Sequence, residues 1–194
     1  MSLESALDEY PKDIKAKDGT LGVLRPLEPQ DETTFHQFFL AVPPNELMIL
    51  KHRVDDASII HHWCQNIDLG RNLPLLMATN GSILGVGTLH QQLGGWKRHI
   101  GRVSVYVHPR HRGAGLAKIL VEEVIDVARQ CGLEKVEAEF IGKQEGARKL
   151  FAILGFSELV HLPDYVKDMQ AITHDYILMG LDLLTDEEYA GVGG

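Results

Sequence analysis

The chain has 194 residues and a formal net charge of −8, from 19 Lys and Arg against 27 Asp and Glu. This length suits one ordinary domain, and a hydrophobic content of 44% is enough to build a core. The acidic balance does not favour binding to a nucleic-acid backbone or to an anionic membrane. We therefore expect no nucleic-acid and no membrane partner. The oligomeric state is left open between a monomer and a homodimer.

Several features predict a soluble cytoplasmic protein. Cys64 and Cys131 lie far apart in the sequence, which indicates reduced thiols rather than a disulfide framework. The N-terminal residues lack the basic and apolar regions of a secretory signal, and no apolar run reaches transmembrane length. Composition also predicts a loose leader over residues 1–18, a single domain over residues 19–184 and a flexible tail over residues 185–194.

The sequence pattern predicts one strand and two helices in the first part of the domain. Thr20 to Leu27 has the pattern of a short strand that prolines close. Asp31 is placed to cap a helix through Leu40, with three phenylalanines at helical spacing. A second helix is expected from Asp55 or Asp56 to about Ile67. Residues 46–53 are ambiguous between a loop and a short helix.

The pattern changes to strands after Pro74. Asn80-Gly81 is a strong hairpin signal between two apolar segments, because both positions tolerate a positive φ. The predicted elements that follow are strands over Leu75–Thr79, Ile83–Gln91 and His99–Val107, a helix from Gly115 to Gly132, a strand over Lys135–Ile141, a helix over Gln144–Leu154, and a closing hairpin of Phe156–Lys167 and Ile172–Leu183. An antiparallel run therefore leads into one helical crossover that should be right-handed, which predicts a mixed α/β sheet with one parallel strand pair.

The join between a strand and a long helix, Arg110 to Gly115, is the most informative short segment. The first N–H groups of a helix lack backbone partners and lie at the positive end of its dipole, so such a join can bind a phosphate group. Gly113 and Gly115 allow a sharp turn and a close approach of the ligand. Arg110 and Arg112 add charge and paired hydrogen-bond donors.

Two common phosphate-binding loops are excluded by the sequence around these glycines. No Gly-Lys-Ser/Thr follows, so the segment is not the phosphate loop of nucleoside triphosphatases. Lys118 occupies the position of the third glycine that a dinucleotide fingerprint needs.

The segment resembles the Arg/Gln-x-x-Gly-x-Gly/Ala motif of the GNAT family of N-acetyltransferases, and Arg110, Gly113 and Gly115 match it in place. The strand that ends in Val105–Pro109 is similar to the strand before that motif in the family. Ala147–Phe156 resembles a later helix that commonly ends in Leu-Gly-Phe, and Tyr176–Met179 resembles the last strand. The resemblance is clear over residues 75–183.

This resemblance implies a mostly antiparallel sheet, with helices on both faces and a parallel pair that splays apart to receive acetyl-CoA. The backbone from Arg112 to Gly115 would hold the pyrophosphate, and Val105 and Val107 would pair with the pantetheine through their backbones. The N–H of Val105 would donate to the acyl carbonyl, as in an oxyanion hole. The cofactor-binding residues expected from the resemblance are Val105, Tyr106, Val107, Arg110, His111, Arg112, Gly113, Ala114, Gly115, Gln144, Ala147 and Phe151.

The implied reaction is direct attack of an amine acceptor, a small molecule or a peptide, on the thioester. Here the sequence departs from the family, because Phe151 stands where many members carry a tyrosine that acts as general acid, and Gln144 stands in place of an asparagine. Candidate bases are Glu139 and His99, and candidate acids are Tyr106 and Tyr165. Because phenylalanine cannot donate a proton, a non-catalytic acyl-CoA-binding or sensing domain of the same fold is the alternative.

A metal site is a weaker hypothesis for the cluster of His52, His61, His62 and Cys64. His61 and Cys64 are three residues apart and could share a helix face. The cluster has no further ligand at a typical spacing, so we predict no metal.

Overall fold

The computed structural model describes residues 3–79 and 81–183. The strands are β1 (Lys12–Lys15), β2 (Leu21–Pro26), β3 (Asn72–Thr79), β4 (Ser82–His90), β5 (Ile100–Val107), β6 (Lys135–Ile141), β7 (Ser157–Lys167) and β8 (Thr173–Asp182). The helices are α1 (Leu3–Leu7), α2 (Glu32–Leu40), α3 (Pro44–Leu47), α4 (Ala57–Gln65), α5 (Leu116–Gln130) and α6 (Glu145–Ile153). None of these described helices is long and apolar enough to cross a membrane.

The eight strands form one sheet in the order β1-β2-β3-β4-β5-β6-β8-β7. Every neighbouring pair is antiparallel except β5 and β6, which are parallel and joined through α5. The mixed, mostly antiparallel sheet with one parallel pair is confirmed.

Successive side chains of a strand point to opposite faces, and runs of consecutive buried residues in β3 and β4 show that both faces of the sheet are covered. One core contains Val103 of β5, Phe151 of α6 and the apolar side of α5. The other contains Phe38 of α2 and Ile60 of α4, with Tyr106 of β5 packed against it. Consecutive residues of β5 therefore serve opposite faces, which places the two sides of a site at this strand.

The expectation of a loose leader over residues 1–18 is wrong for its described part. Residues 3–7 are helical, and residues 12–15 pair with β2 as an edge strand. The Tyr10 hydroxyl donates to Glu123 of α5 at 2.8 Å, and the Lys12 ammonium donates to the same carboxylate at 3.0 Å. The segment is anchored by polar contacts to a distant helix, which hydrophobic periodicity does not reveal. The predicted tail over residues 185–194 lies outside the described residues.

The bounds of several elements differ from the sequence prediction, most clearly at the start of β3. Strand β3 begins at Asn72, before Pro74, and the Pro74 carbonyl accepts the N–H of Leu27 at 2.9 Å. Thr79 pairs with Ser82 across the β3–β4 turn, where Gly81 has a φ of +79° and Asn80 lies outside the described residues. The single-turn helix α3 begins at Pro44, before the ambiguous residues 46–53, and ends within them at Leu47.

Candidate active site

Strands β5 and β6 separate partway along their length. Ile100 to Arg102 pair with Lys135 to Glu137, but β5 continues to Val107 and β6 to Ile141 without further pairing of these described residues. This opening is the splay that the sequence resemblance predicted. It lies between the two strands that flank α5 and opens toward the start of that helix.

The backbone of β5 directs alternate polar groups into the opening. The backbone N–H of His108 donates to the Leu84 carbonyl at 2.9 Å, and Val107 is the partner of Gly85 in the ladder with β4. Residues of an antiparallel strand alternate in the edge to which their N–H and C=O groups point. Because the backbone N–H of His108 points to β4, the backbone groups of Val105 and Val107 point to the opposite edge, where β6 has moved away.

The backbone groups of β6 that face the opening also lack a partner on β5, and the Gln144 side chain bonds to one of them. Gly142 donates to the Asp175 carbonyl at 3.0 Å, so the N–H of Ile141 points toward β5. That N–H donates to the Gln144 side-chain oxygen at 2.9 Å. Gln144 therefore satisfies a backbone group that the separation of the strands would leave without a partner, while Ala147 packs partly buried against the core.

The loop between β5 and α5 presents its backbone without side-chain obstruction at two positions. Gly113 and Gly115 have φ values of +85° and +82°, a region that L-residues rarely adopt. A Cβ atom at Gly115 would lie 3.2 Å from the side chain of Lys17. The Lys17 N–H also donates to the Ala114 carbonyl at 3.1 Å, so the β1–β2 connection supports the loop.

The arginines of the loop have different surroundings. Arg110 is exposed within a turn that ends at His111, whose N–H donates to the His108 carbonyl at 2.9 Å. Arg112 instead donates two hydrogen bonds, of 2.8 and 2.7 Å, to the carboxylate of Glu46 in α3. Sequence reasoning missed Glu46, because nothing in its local pattern indicates a partner in a loop 66 residues away.

Glu46 also helps to determine the protonation state of Tyr106. The Tyr106 hydroxyl donates to Glu46 at 2.9 Å, and the ring packs against Phe38 and Phe39. Burial and the Glu46 carboxylate raise the pKa of Tyr106 above its ordinary value. The Arg112 hydrogen bonds lower the pKa of Glu46. Tyr106 is therefore held as a neutral donor to Glu46, on the face of the sheet that α2 covers.

Glu139 lies on β6 just beyond the point where the strands separate. Its carboxylate accepts from Lys51, from Tyr176 at 3.1 Å and from Arg102 at 3.5 Å. Burial opposes ionisation, but the Lys51 hydrogen bond and the charges of Lys51 and Arg102 prevail and hold the pKa of Glu139 below its ordinary value. This carboxylate is ionised and already accepts three hydrogen bonds, which suits it to anchor a cation.

The remaining candidate acids and bases are spread along the sheet. His99 precedes β5 at the end where the strands are still paired, and its carbonyl accepts from Glu134 at 2.9 Å. The structure therefore does not bring His99 to the opening. Tyr165 of β7 is 67% exposed, with its ring 6.0 Å from that of Tyr176. Burial and Glu139 raise the pKa of Tyr176, which sequence reasoning missed, to about 12.

Phe151 is a core residue. It is 1% exposed, and its ring meets those of Phe140 and Phe156 edge-on at 5.1 and 4.9 Å. Aromatic packing in the core is therefore sufficient to explain a phenylalanine at this position. Its position offers no proton donor to the opening.

A set of polar side chains lies on the sheet face opposite α5, beside the opening. We call this set the polar face; its members are Lys51, Asn72, His90, Arg102, Ser104, Glu139 and Tyr176. They come from five strands and the segment after α3. The only local signal was the alternation that puts Arg102 and Ser104 on the same side of β5 as Tyr106.

The histidines that suggested a metal site have other contacts. His61 approaches Glu32 of α2 at 2.9 Å, His62 approaches Asn66 at 3.2 Å, and His52 packs against Trp63. Cys64 is buried. Across residues 3–79 and 81–183, no group of three His, Cys, Asp or Glu side chains is arranged to hold a metal ion.

Comparisons with known proteins agree with this geometry. The family model described as acetyltransferase (GNAT) family matches residues 35–156. The chain is 36% identical over 84 residues to the L-amino acid N-acyltransferase MnaT of Escherichia coli strain K12, a match covering 41% of this chain and 49% of the relative. It is 34% identical over the same length to the L-methionine sulfoximine/L-methionine sulfone acetyltransferase of Salmonella typhimurium, with the same coverage. The chain thus matches about half the length of these curated relatives.

Solved structures share the fold at low sequence identity. The GNAT domain of S. lividans PAT aligns with a TM-score of 0.74 at 18% identity, covering 90% of this chain and 97% of that one. The acetyltransferase yncA from Salmonella typhimurium, solved with acetyl-CoA, aligns with a TM-score of 0.71 at 23% identity, covering 84% and 95%. The separated strands, the glycine loop at the start of α5 and the match over residues 35–156 together show that the chain belongs to the GNAT acetyltransferase family, whose members use acetyl-CoA.

Proposed function

We propose that the chain is an acetyl-CoA-dependent N-acetyltransferase that catalyses direct attack of an amine on the thioester. The observation that carries this proposal is the opening between β5 and β6, whose edges present backbone polar groups beside a helix start. Such an opening can receive an extended chain with amide groups, and pantetheine is one. When bound, acetyl-CoA supplies an activated acetyl group.

The loop residues suit the diphosphate end of this substrate. The backbone N–H groups of Arg112, Gly113, Ala114 and Gly115 hold the pyrophosphate at the positive end of α5. The positive φ values of the two glycines support this role, because they turn successive N–H groups toward one side of the loop. Arg110 adds charge from the exposed turn.

The backbone of β5 positions the reacting end. Val105 and Val107 pair with the pantetheine amides in place of a neighbouring strand, and the N–H of Val105 donates to the acyl carbonyl. A fixed donor at this point stabilises the negative charge that grows on the carbonyl oxygen during attack. No side chain of β5 is needed for this, which agrees with the apolar character of both valines.

The charges of the polar face suit an acceptor that carries both an amine and a carboxylate. Arg102 and Lys51 supply two cations next to the opening, and Glu139 supplies one anion for the incoming ammonium group. The two curated relatives named above act on amino acids according to their names. We therefore propose an α-amino acid or a close analogue as the acceptor class.

The leaving group does not require the tyrosine that Phe151 replaces. A thiol has a pKa of about 8.5, so the thiolate leaves far more readily than an alkoxide would. The Tyr106 hydroxyl donates its proton to a hydrogen bond with Glu46, and the Tyr176 hydroxyl does so with Glu139, so neither proton is directed at the thiolate. The thiolate therefore departs unaided and is protonated by solvent.

Calorimetry with acetyl-CoA and with CoA, followed by thiol release in the presence of different amines, tests the proposal. The amines are L-methionine sulfone, L-methionine, spermidine and a short peptide with a free N-terminus. We expect micromolar binding of acetyl-CoA and turnover with an amino acid. Absence of acetyl-CoA binding refutes the proposal, while tight binding without turnover on any amine supports the sensing-domain alternative.

A further inference from the structure

Three side chains on the polar face form a hydrogen-bonded chain across three neighbouring strands. The Asn72 amide oxygen lies 2.7 Å from His90 Nδ1, and His90 Nε2 lies 3.1 Å from the Ser104 hydroxyl. An amide oxygen can only accept, so Nδ1 carries the proton of the neutral imidazole. Nε2 is then unprotonated and accepts from the Ser104 hydroxyl. The arrangement is that of an activated hydroxyl, a base and a group that orients the base.

Ser104 stands where the opening begins. It is two residues past Arg102, the last residue of β5 that pairs with β6, and it immediately precedes Val105. Its side chain is exposed on the polar face, while the Val105 N–H points into the opening. An amine that approaches the acyl carbon from the polar face therefore passes the Ser104 hydroxyl.

The surroundings of His90 keep its ring neutral. Burial together with the charges of Arg102, Lys51 and His52 lowers the pKa of His90 to about 4, and Glu139 opposes the shift. These groups face the ring from β5, from the segment after α3 and from β6. At neutral pH the ring is consequently unprotonated, and its Nε2 lone pair can accept the hydrogen bond of the Ser104 hydroxyl.

We propose, on the basis of the acetyl transfer proposed above, that Ser104 takes the proton of the attacking amine and passes its own proton to His90. The C–N bond forms and the C–S bond breaks, while one proton of the amine nitrogen moves to Ser104 Oγ. The former Ser104 proton moves to His90 Nε2 and then to solvent, and solvent protonates the departing thiolate. Ser104 is the catalytic residue of this relay; His90 and Asn72 are positioning residues that act through it.

A purely structural role for the chain makes a different prediction. Cross-strand polar pairs stabilise a sheet, so their loss lowers stability but not the rate of the folded enzyme. The relay instead predicts loss of kcat with an unchanged KM for acetyl-CoA, because none of the three side chains contacts the cofactor loop. The two readings therefore separate in steady-state kinetics.

The test measures kcat and both KM values with acetyl-CoA and the best of the four amines used above. His90→Ala and Ser104→Ala should each lower kcat about 100-fold, the usual size of a general-base contribution. Because the two residues act as one unit, the double variant should be no slower than either single variant. Ser104→Thr, which keeps the hydroxyl, should retain most activity, and added imidazole should partly rescue His90→Ala.

His62→Ala is the matched control, since His62 is exposed on α4 and its ring contacts Asn66 rather than a member of the polar face, so kcat should be unchanged. His90→Asn provides a second polar variant in which folding is preserved, and it should also be slow. If the wild type turns over but the His90 and Ser104 variants match it, the relay is refuted and the acetyl transfer stands. If the wild type binds no acetyl-CoA or acetylates none of the amines, the proposed function fails and the relay fails with it.

Discussion

The two sides of the opening between β5 and β6 use different parts of the polypeptide. The loop from Arg110 to Gly115 and the valines of β5 present backbone groups, which any sequence compatible with the geometry can supply. The polar face presents charged and hydrogen-bonded side chains, each of which touches another. Substitutions beside the loop should therefore act through bulk and charge, and substitutions on the polar face should act through specific contacts.

Gly113→Glu should have the largest effect of the changes that test this difference. It places a carboxylate where the pyrophosphate is proposed to bind, and it forces a non-glycine residue to adopt a φ of +85°. A Cβ atom there would meet no other atom within 4 Å, so the effect comes from charge and backbone strain. We expect acetyl-CoA affinity to fall more than 100-fold by calorimetry. Gly132→Glu is the control, because Gly132 has a φ of +75° with nothing within 4 Å at the other end of α5. Equal losses in both variants would contradict the placement of the phosphate.

The lowered pKa of His90 predicts an acid-dependent loss of stability. The folded protein resists protonation down to about pH 4, whereas the unfolded chain binds the proton near pH 6.5. The stabilising contribution is therefore complete above pH 6.5 and decreases as the pH falls toward 4. At pH 4.5 we expect a loss of about 2 kcal/mol in the free energy of unfolding, relative to pH 7.5, from this residue.

Urea unfolding of the wild type and His90→Asn at the two pH values measures this contribution directly. The difference in stability between pH 7.5 and 4.5 should be smaller in the variant by that amount, because other titrating groups are common to both proteins. The same pH dependence in both would show that His90 is protonated in the folded state as readily as in the unfolded chain.

Glu139→Gln should have a smaller effect, and on the acceptor alone. It removes the anion that is proposed to receive the ammonium group and frees Lys51 and Arg102. We expect kcat/KM for L-methionine sulfone to fall about tenfold, comparable to the loss of one charged hydrogen bond. Because the pKa of Glu139 is already low, the reduction should be constant from pH 6 to pH 9.

Glu137→Gln is the matched control for Glu139, since Glu137 lies two residues earlier on the same strand and pairs with Lys97 at 3.1 Å where β5 and β6 are still joined. It should leave kcat/KM unchanged. A reduction for Glu139→Gln that disappears at high pH would instead identify Glu139 as the base.

Glu46→Gln should give the smallest change, with the opposite sign for the cofactor. It removes the negative charge to which Arg112 donates and leaves that guanidinium free for a phosphate. We expect acetyl-CoA to bind about threefold tighter, in line with the modest energy of an exposed ion pair. Asp126→Asn, which breaks the ion pair with Arg129 at the far end of α5, should not alter the affinity. Weaker binding of acetyl-CoA to Glu46→Gln would show that Glu46 orients Arg112 for the phosphate.

Much of the fold could be predicted because its signals are local. The period of apolar residues along β5 and α5 and the glycines at Gly113 and Gly115 depend on neighbours within a few positions. The splay of β5 and β6 was predicted only by resemblance, and the structure confirms it through the end of pairing at Arg102. The leader was predicted wrongly, because Tyr10 and Lys12 are held by Glu123, more than a hundred residues away.

The sequence by itself determined a helix start preceded by two glycines and a strand, because helix dipoles and positive φ angles are properties of a few consecutive residues. Only the tertiary structure decided which side chains meet on the polar face. The contact of Asn72 with His90 follows from the register of β3 and β4, and that of His90 with Ser104 from the register of β4 and β5. A register is the outcome of packing the whole sheet, so no single segment of the sequence contains it.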